Sequence, residues 1–303
     1  MPTPILQPGE IEAGAPPAPW LKLPEGSAFA DRAARLENLA AGHALADYLR
    51  FVAALSRAQH EAYIRLPAPA LPPADLLARC RAHAMPPLDA TAQARGAAWR
   101  VALQQIVAAV NDAAPPPAQA AIARLQSTDD DALEALAAAL LRQDCDDFDR
   151  TAAPFVAAAL QVQARRLASQ LGAHQVGRLE TASLCPVCGS PPVASTVHVG
   201  GEYGLRYLSC ALCGSEWNEV RIKCSSCAST KGIAYYGIAS GTPAVKAETC
   251  DACHSYLKIL YLEEDPAADP VADDLASLAL DLLLDEQGYQ RSGLNYFLIP
   301  GPT

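Results

Sequence analysis

At 303 residues, of which 51% are hydrophobic, the chain has room for about two domains and a sizeable core. Its net charge of −10, from 23 Lys/Arg against 33 Asp/Glu, argues against a general nucleic-acid binder, which needs a basic surface. No apolar run approaches the roughly 18 residues that a membrane-spanning helix requires, so no membrane span is expected.

Residues 1–26 are Pro-rich and read as extended or partly ordered. They lack the basic start and apolar stretch of a secretory signal, so a reducing, cytoplasmic compartment is expected, in which thiols persist. From Ser27 to about Leu66 apolar residues recur at helical spacing: Phe29, Ala33, Leu36, Leu39 and Ala40, then beyond Gly42 Leu45, Tyr48, Leu49, Val52, Ala53 and Leu55. The run Pro67 to Pro73 breaks the helix. Leu76–His83 reads as a short helix and Ala92–Val110 as a longer one, and Pro115, Pro116 and Pro117 form a second break. Asp129–Leu141, with acids in its first turn, and Ala152–Leu171 complete an Ala/Leu-rich all-α domain over 27–180.

Strand-forming residues cluster only beyond this point. Strands are expected at Ala194–Val199, Leu205–Ser209, Glu219–Ile222, Ile233–Ile238, Val245–Thr249 and Leu257–Tyr261. The expected architecture is therefore multidomain: an all-α N-terminal domain, then two tandem rubredoxin-like or zinc-ribbon modules of four cysteines each (181–220 and 221–265). An acidic linker, an amphipathic helix at Pro270–Glu286 and a terminal strand at Asn295–Ile299 make up 266–303.

Eight of the ten cysteines form four Cys-x-x-Cys pairs: Cys185/Cys188, Cys210/Cys213, Cys224/Cys227 and Cys250/Cys253. A Cys-x-x-Cys turn brings two thiolates to one point, and two turns make a tetrahedral sulfur site for zinc or iron. Between the paired turns lie 21 residues in the first module and 22 in the second. The spacing predicts two sites, Cys185, Cys188, Cys210 and Cys213 in one, Cys224, Cys227, Cys250 and Cys253 in the other. Modules this small lack a core of their own, and metal binding, on the order of 10 kcal/mol or more, supplies what is missing. Disulfides or redox-active pairs are the competing reading.

Gly189 and Gly214 follow the second cysteine of their turns, where positive φ lets backbone amides turn toward sulfur; Ala228 and His254 hold the equivalent places in the second module, which is expected to be less regular. His254 reads as a non-ligand, and His43, His60, His83, His174 and His198 show no metal or triad spacing. Trp217 and Arg221 are candidate partner-binding residues. In the alternative, Trp217 packs one module on the other while Arg221 and Lys223 offset the charge of the sulfur sites. Cys80 and Cys145 read as buried thiols, and Asp144, Asp146, Asp147 and Asp149 as a solvated acidic helix end. No Gly-x-Ser-x-Gly, phosphate-cradling Gly-rich loop or His-Glu-x-x-His occurs. Together with closed four-cysteine sites, this points to structure, docking or electron transfer rather than hydrolysis.

The strings Leu184-Cys-Pro-Val-Cys-Gly-Ser, Tyr207-Leu-Ser-Cys-Ala-Leu-Cys-Gly-Ser-Glu-Trp217, Cys224-Ser-Ser-Cys227 and Lys246-Ala-Glu-Thr-Cys-Asp-Ala-Cys-His-Ser-Tyr-Leu-Lys258 resemble the formate dehydrogenase accessory protein family (FdhE type). So do Asp274–Asp281, Gly288–Asn295 and, upstream, Asp47-Tyr-Leu-Arg-Phe-Val-Ala-Ala-Leu. The resemblance implies a non-enzymatic cytoplasmic protein with two rubredoxin-like metal sites that take iron or zinc. It also implies contact with the catalytic subunit of formate dehydrogenase before export. Asn218 stands where the family pattern has histidine. An iron–thiolate redox protein and a zinc-ribbon nucleic-acid binder are the alternatives.

Overall fold

A computed structural model describes residues 18–67, 69–93, 95–143, 149–199, 204–239 and 241–298. Cys145, Asp144, Asp146, Asp147 and Ile299, on which expectations were placed, lie outside the described residues.

The helical region begins with α1 (Ala28–Leu39) and α2 (Ala46–Arg65), separated where Gly42 takes φ +73°. Then come α3 (Ala74–Ala82) and α4 (Ala98–Val110). The last three are α5 (Pro116–Ser127), α6 (Asp130–Arg142) and α7 (Ala153–Ala168). Helix α5 was not expected, because Pro115–Pro117 was read only as a break. Pro116 and Pro117 occupy the first turn of α5, where the missing N–H costs nothing. Helix α4 starts later than its periodicity suggested. The Asp89 carboxylate accepts from the amides of Thr91 and Ala92 and holds that stretch as a turn. Helix α6 is capped by Asp129, whose side chain accepts from Ala132 N at 2.8 Å, and ends at Gln143 in the left-handed region. Helix α7 is buried almost all round, and its run of alanines lets α2, α4 and α6 approach it closely.

The strands are β1 (Leu21–Lys22), β2 (Pro192–Val197), β3 (Arg206–Cys210) and β4 (Glu216–Glu219). They continue with β5 (Ile233–Tyr236), β6 (Val245–Cys250), β7 (Ser255–Tyr261) and β8 (Gln290–Arg291). All belong to one sheet, ordered β1-β4-β3-β2-β7-β6-β5, with β8 beside β7. The two cysteine modules are therefore not separate beads. Antiparallel ladders build each one, and a parallel β2–β7 pairing, Ser195 opposite Ile259 and Val197 opposite Tyr261, fuses them. Val193, Leu208, Leu257 and Leu260 join the helical core in one continuous cluster, which gives both modules a core they could not build alone.

Three expectations are corrected here. The strand placed at Glu219–Ile222 is instead β4 at Glu216–Glu219, and Ile222 takes φ +62°, which ends extended structure. The single helix at Pro270–Glu286 is two, α8 (Ala272–Ala276) and α9 (Leu278–Asp285). The terminal strand at Asn295 is a turn: Phe297 N donates to Asn295 Oδ1, and Tyr296 and Phe297 bury themselves in the core. Pairing with β7 comes from β8 instead.

Five acidic residues of the C-terminal stretch are paired with cations. Arg35 pairs with Asp265 and Asp273, both at 2.6 Å, and Arg32 with Asp269 at 3.2 Å, tying α1 to α8. Lys258, fully buried on β7, meets Asp281 at 2.5 Å and Asp274 at 3.2 Å, and Arg291 bridges the same two carboxylates. No helix of the described residues is long and apolar enough to cross a membrane.

Candidate metal centres

The second and fourth Cys-x-x-Cys turns join the strands of a hairpin, β3 to β4 and β6 to β7, while the first and third precede β2 and β5. In the first, Cys185 N donates to Ser190 O and Gly189 N to Cys185 O, with Gly189 at φ +77°. The second repeats the first bond, Cys210 N to Ser215 O, with Gly214 at φ +71°. In the third, Cys224 N donates to Ser229 O and Ala228 takes φ +60°; in the fourth His254 takes φ +51°. The left-handed residue after the second cysteine is thus common to all four turns, glycine or not. The second module adopts the same geometry at a steric cost that glycine avoids.

The turns converge in the sequential pairing. Cys185, Cys188, Cys210 and Cys213 form one group and Cys224, Cys227, Cys250 and Cys253 the other, their sulfurs all within 4.8 Å of one another. In site 1, Cys185 Sγ lies 3.7 Å from Cys213 Sγ and Cys188 Sγ 3.4 Å from Cys210 Sγ. In site 2, Cys224–Cys253 and Cys227–Cys250 are both 3.7 Å. A tetrahedron with metal–sulfur bonds of about 2.3 Å has edges of about 3.8 Å, so the donor set fits a tetrahedral metal ion. The same separations are far beyond a disulfide bond of about 2.05 Å. Backbone amides point at the sulfurs in both sites, Val187 N at Cys185, Leu212 and Cys213 N at Cys210, Ser226 and Cys227 N at Cys224. Such N–H···S bonds stabilise thiolate charge.

The two sites differ in their surroundings. All four cysteines of site 1 are buried, and both of its turns are clamped by the helical domain. Leu88 N donates to Val187 O, Ala90 N to Cys188 O, and the buried Gln161 of α7 to Ala211 O at 2.8 Å, with Gln59 of α2 donating in turn to Gln161. In site 2, Cys227 is exposed and Cys253 half-buried.

Electrostatics follow the same division. Burial pushes the Cys185 and Cys210 thiols well above the ordinary range. It works against Cys213 too, but hydrogen bonds from the three other cysteines and Ser215 bring that thiol well below its ordinary value. In site 2 burial lifts Cys250 to about 12, while Cys253, despite some burial, falls to about 7 because the Ser255 hydroxyl and amide bond to it. A bare cluster thus favours a mixture of thiols and thiolates, and a central cation is what holds all four deprotonated.

The cation beside site 1 comes from the helical domain, not from the joint between modules. Arg165 of α7 is buried against Gly214 and the Phe29 ring, 5.0 Å from the ring centroid. A methyl group on Gly214 would lie 2.3 Å from its Nη2. Burial lowers Arg165 to about 10, with Arg32 acting in the same direction and Cys213 against it. Tyr296, buried beside Cys210 and Cys188, is pushed up by burial and by those sulfurs. Neither residue stands out in the sequence: Arg165 is one of a pair of arginines in an Ala-rich helix, and Tyr296 lies in a turn taken for a strand.

The remaining candidates fall as follows. Trp217 does not offer its ring to a partner: it is 3% exposed on β4, opposite Leu21 of β1, and its Nε1 donates to Ala182 O. Nor does it pack one module on the other, since its neighbours are β1, β3 and the segment entering the first turn. Arg221 is exposed and reaches Gly204 O. Asn218 anchors the ladder, its Nδ2 donating to Arg206 O. His254 is exposed and stacks near Tyr289 rather than entering site 2, and no histidine joins either sulfur group among the described residues. Cys80 is a lone buried thiol. A cleft of about 760 Å³ between α2, α7 and the 113–118 segment holds no ligating cluster among the described residues.

Known proteins resemble this chain in sequence and fold. The FdhE N-terminal model matches residues 17–181, the central-domain model 184–221 and the C-terminal-domain model 222–298. The FdhE homolog of Pseudomonas aeruginosa is 45% identical over 305 residues, covering 98% of each chain. That of Rhizobium meliloti is 41% identical over 303 residues, again 98% of each. The crystal structure of the FdhE protein from Pseudomonas aeruginosa superposes with a TM-score of 0.86 at 42% identity, covering 94% of this chain and all of that one.

Proposed function

The chain belongs to the FdhE family, and on that premise we propose that it is a non-enzymatic accessory protein for formate dehydrogenase maturation. In this reading it binds the catalytic subunit in the cytoplasm before export. One metal ion, iron or zinc, sits in each four-cysteine site, held by Cys185, Cys188, Cys210 and Cys213 and by Cys224, Cys227, Cys250 and Cys253.

The observation that carries the reading is the pair of complete four-sulfur groups in a chain that matches the family along its length. Four protein thiolates fill a tetrahedral ion and leave no position for a substrate, so the sites suit holding a surface in shape rather than hydrolysis. In site 1 the metal would lock both turns to the helical domain. When bound, it supplies a fixed charge and four strong bonds beside the shared hydrophobic core. The chain's own groups then do the rest. The amides of Val187, Leu212 and Cys213 orient the thiolates, Arg165 offsets their charge, and Tyr296 and Leu212 keep water out.

One observation favours a redox role for site 2: Cys227 is exposed, which gives an iron ion there a path for electron exchange that site 1 lacks. A reversible red chromophore in anaerobically purified protein, lost with Cys250→Ser/Cys253→Ser, supports that second reading, and a colourless zinc-only protein removes it.

The accessory reading is tested by co-purification from the native cytoplasm with the tagged full chain. Retention of a formate dehydrogenase catalytic subunit by the wild type is the expected result. Retention of nucleic acid or unrelated proteins alone overturns it.

A further inference from the structure

We infer that the free edge of β5 is a docking strand for an extended, acidic segment of a partner protein. Since the partner is taken to be the formate dehydrogenase catalytic subunit, the inference rests on the function proposed above.

Three independent features meet at this edge. The first is backbone: β5 ends the strand order, with β6 on one side and no strand on the other among the described residues. Asp251 N donates to Gly232 O, and antiparallel alternation from that bond turns the amides of Ala234 and Tyr236 toward β6. The N–H and C=O groups of Ile233 and Tyr235 therefore face outward, as a row of donors and acceptors for an added strand.

The second is side chains. Tyr235 and Tyr236 are 36% and 38% exposed, and Val220 and Ile222 of the nearby joint are 67% and 58% exposed. These are large residues that a fold with a continuous core elsewhere leaves in water. Tyr235 shares a face of the sheet with Lys246, Glu248 and Tyr261, as the β5–β6–β7 register requires. Lys246 Nζ sits 5.0 Å from the Tyr261 ring, and Arg221 faces the same phenol. Glu248, the carboxylate on this face, is buried and engaged by Arg206 and Tyr235.

The third is charge. Residues 220–247 contain Arg221, Lys223, Lys231 and Lys246 and no acidic residue. The carboxylates beside β5 are both engaged, Glu248 by Arg206 and Tyr235 and Asp251 by the Tyr289 hydroxyl. Two copies meeting through this edge would bring like charges together, which disfavours a second copy as occupant. A nucleic acid long enough to leave the patch would meet the acidic remainder of the molecule. A short acidic strand gains the backbone ladder, the tyrosines and the cations without either penalty.

The test compares retention of the formate dehydrogenase catalytic subunit by tagged full-length wild type, Tyr235→Pro and Arg221→Glu/Lys246→Glu, each verified to keep its helical content and two metals. Proline removes an outward N–H and spares the ladder to β6. The charge reversal leaves the backbone intact but takes the patch from four positive charges to a net of zero, so this variant is also verified to keep the oligomeric state of the wild type. The expected result is retention by wild type that weakens with salt and drops about tenfold or more in both variants. Slowed amide exchange at Ile233 and Tyr235 should accompany it on adding the subunit. Retention by wild type and variants alike overturns the edge inference and leaves the accessory function standing. Failure of the wild type itself overturns the accessory function, and the edge inference with it. Wild-type dimerisation that protects the same amides without the subunit assigns the edge to a second copy and overturns the inference.

Discussion

Loss of site 1 should dismantle the molecule, whereas loss of site 2 should not. The perturbations are Cys210→Ser/Cys213→Ser and Cys250→Ser/Cys253→Ser, each removing two ligands from one group. In site 1 the turns carry Val187 and Leu212 into the shared core at 0% and 4% exposure. Burying two such side chains stabilises by roughly 3–6 kcal/mol. The bonds from Leu88, Ala90 and Gln161 to the turns add about 0.5–1.5 kcal/mol each. What the metal holds in place is then comparable with the whole stability of an ordinary domain, about 5–15 kcal/mol. In site 2 the turns lie at the far end of the sheet, with Cys227 in solvent, and among the described residues no backbone hydrogen bond from the helical domain reaches them. Thermal unfolding followed by far-ultraviolet circular dichroism, with metal stoichiometry on the same samples, reads the difference. The site 1 variant should lose one metal and cooperative melting of its helices. The site 2 variant should lose one metal and keep helical melting within a few degrees of wild type. Equal melting of the two variants, or a larger loss in the site 2 variant, refutes the division.

Three further outcomes follow from the charged groups. Arg165→Met should weaken site 1 metal affinity about 10–100-fold in chelator competition, leave site 2 unchanged, and not lower the stability of the metal-free chain, because it removes a buried cation; equal weakening of both sites contradicts the role given to Arg165. Lys258→Met leaves Asp274 and Asp281 with one cation, Arg291, beside their hydrogen bonds from Asn295 and Tyr256, and should cost about 3–5 kcal/mol in denaturant unfolding; a cost under about 1 kcal/mol contradicts the buried network. Burial works to raise Asp274, but Lys258 and Arg291 hold it below the ordinary carboxylate value. A depressed folded value means stability present above the unfolded value, about 3.9, and lost as pH falls through the folded one. Asp274→Asn should therefore lower stability at neutral pH and narrow its difference from wild type as pH falls below about 4; a difference constant with pH contradicts this.

The sulfur sites were legible because metal chemistry fixes ligand type and spacing locally: two residues between cysteines make one turn, and two near-identical repeats pair with themselves. The left-handed residue after each turn was equally local, and Gly189 and Gly214 announced it. The helices with a long apolar period, α2, α6 and α7, were visible for the same reason. What escaped was non-local. A parallel β2–β7 pairing leaves no trace in either strand, so the modules looked like beads. Nothing in Leu21–Lys22 signals a strand, since its partner Trp217 lies beyond the whole helical domain. The acidic residues from Glu263 onward read as a linker and a helix with no cationic partner named, because Arg32 and Arg35, which pair with three of them, are far away in the chain. Trp217 reads as a partner anchor or as packing between the modules for the same reason: the chain that covers it comes from the other end of the sequence.

The account centres on two closed four-thiolate metal centres fused by one sheet. X-ray absorption at the iron and zinc edges of the full-length protein, purified without oxygen and with metals counted per chain, tests that most directly. Two metals per chain, each with four sulfurs at about 2.3 Å and no nitrogen or oxygen ligand, is the predicted result. One metal per chain, a mixed ligand shell, or protein without metal whose cysteines are joined as disulfides would contradict it.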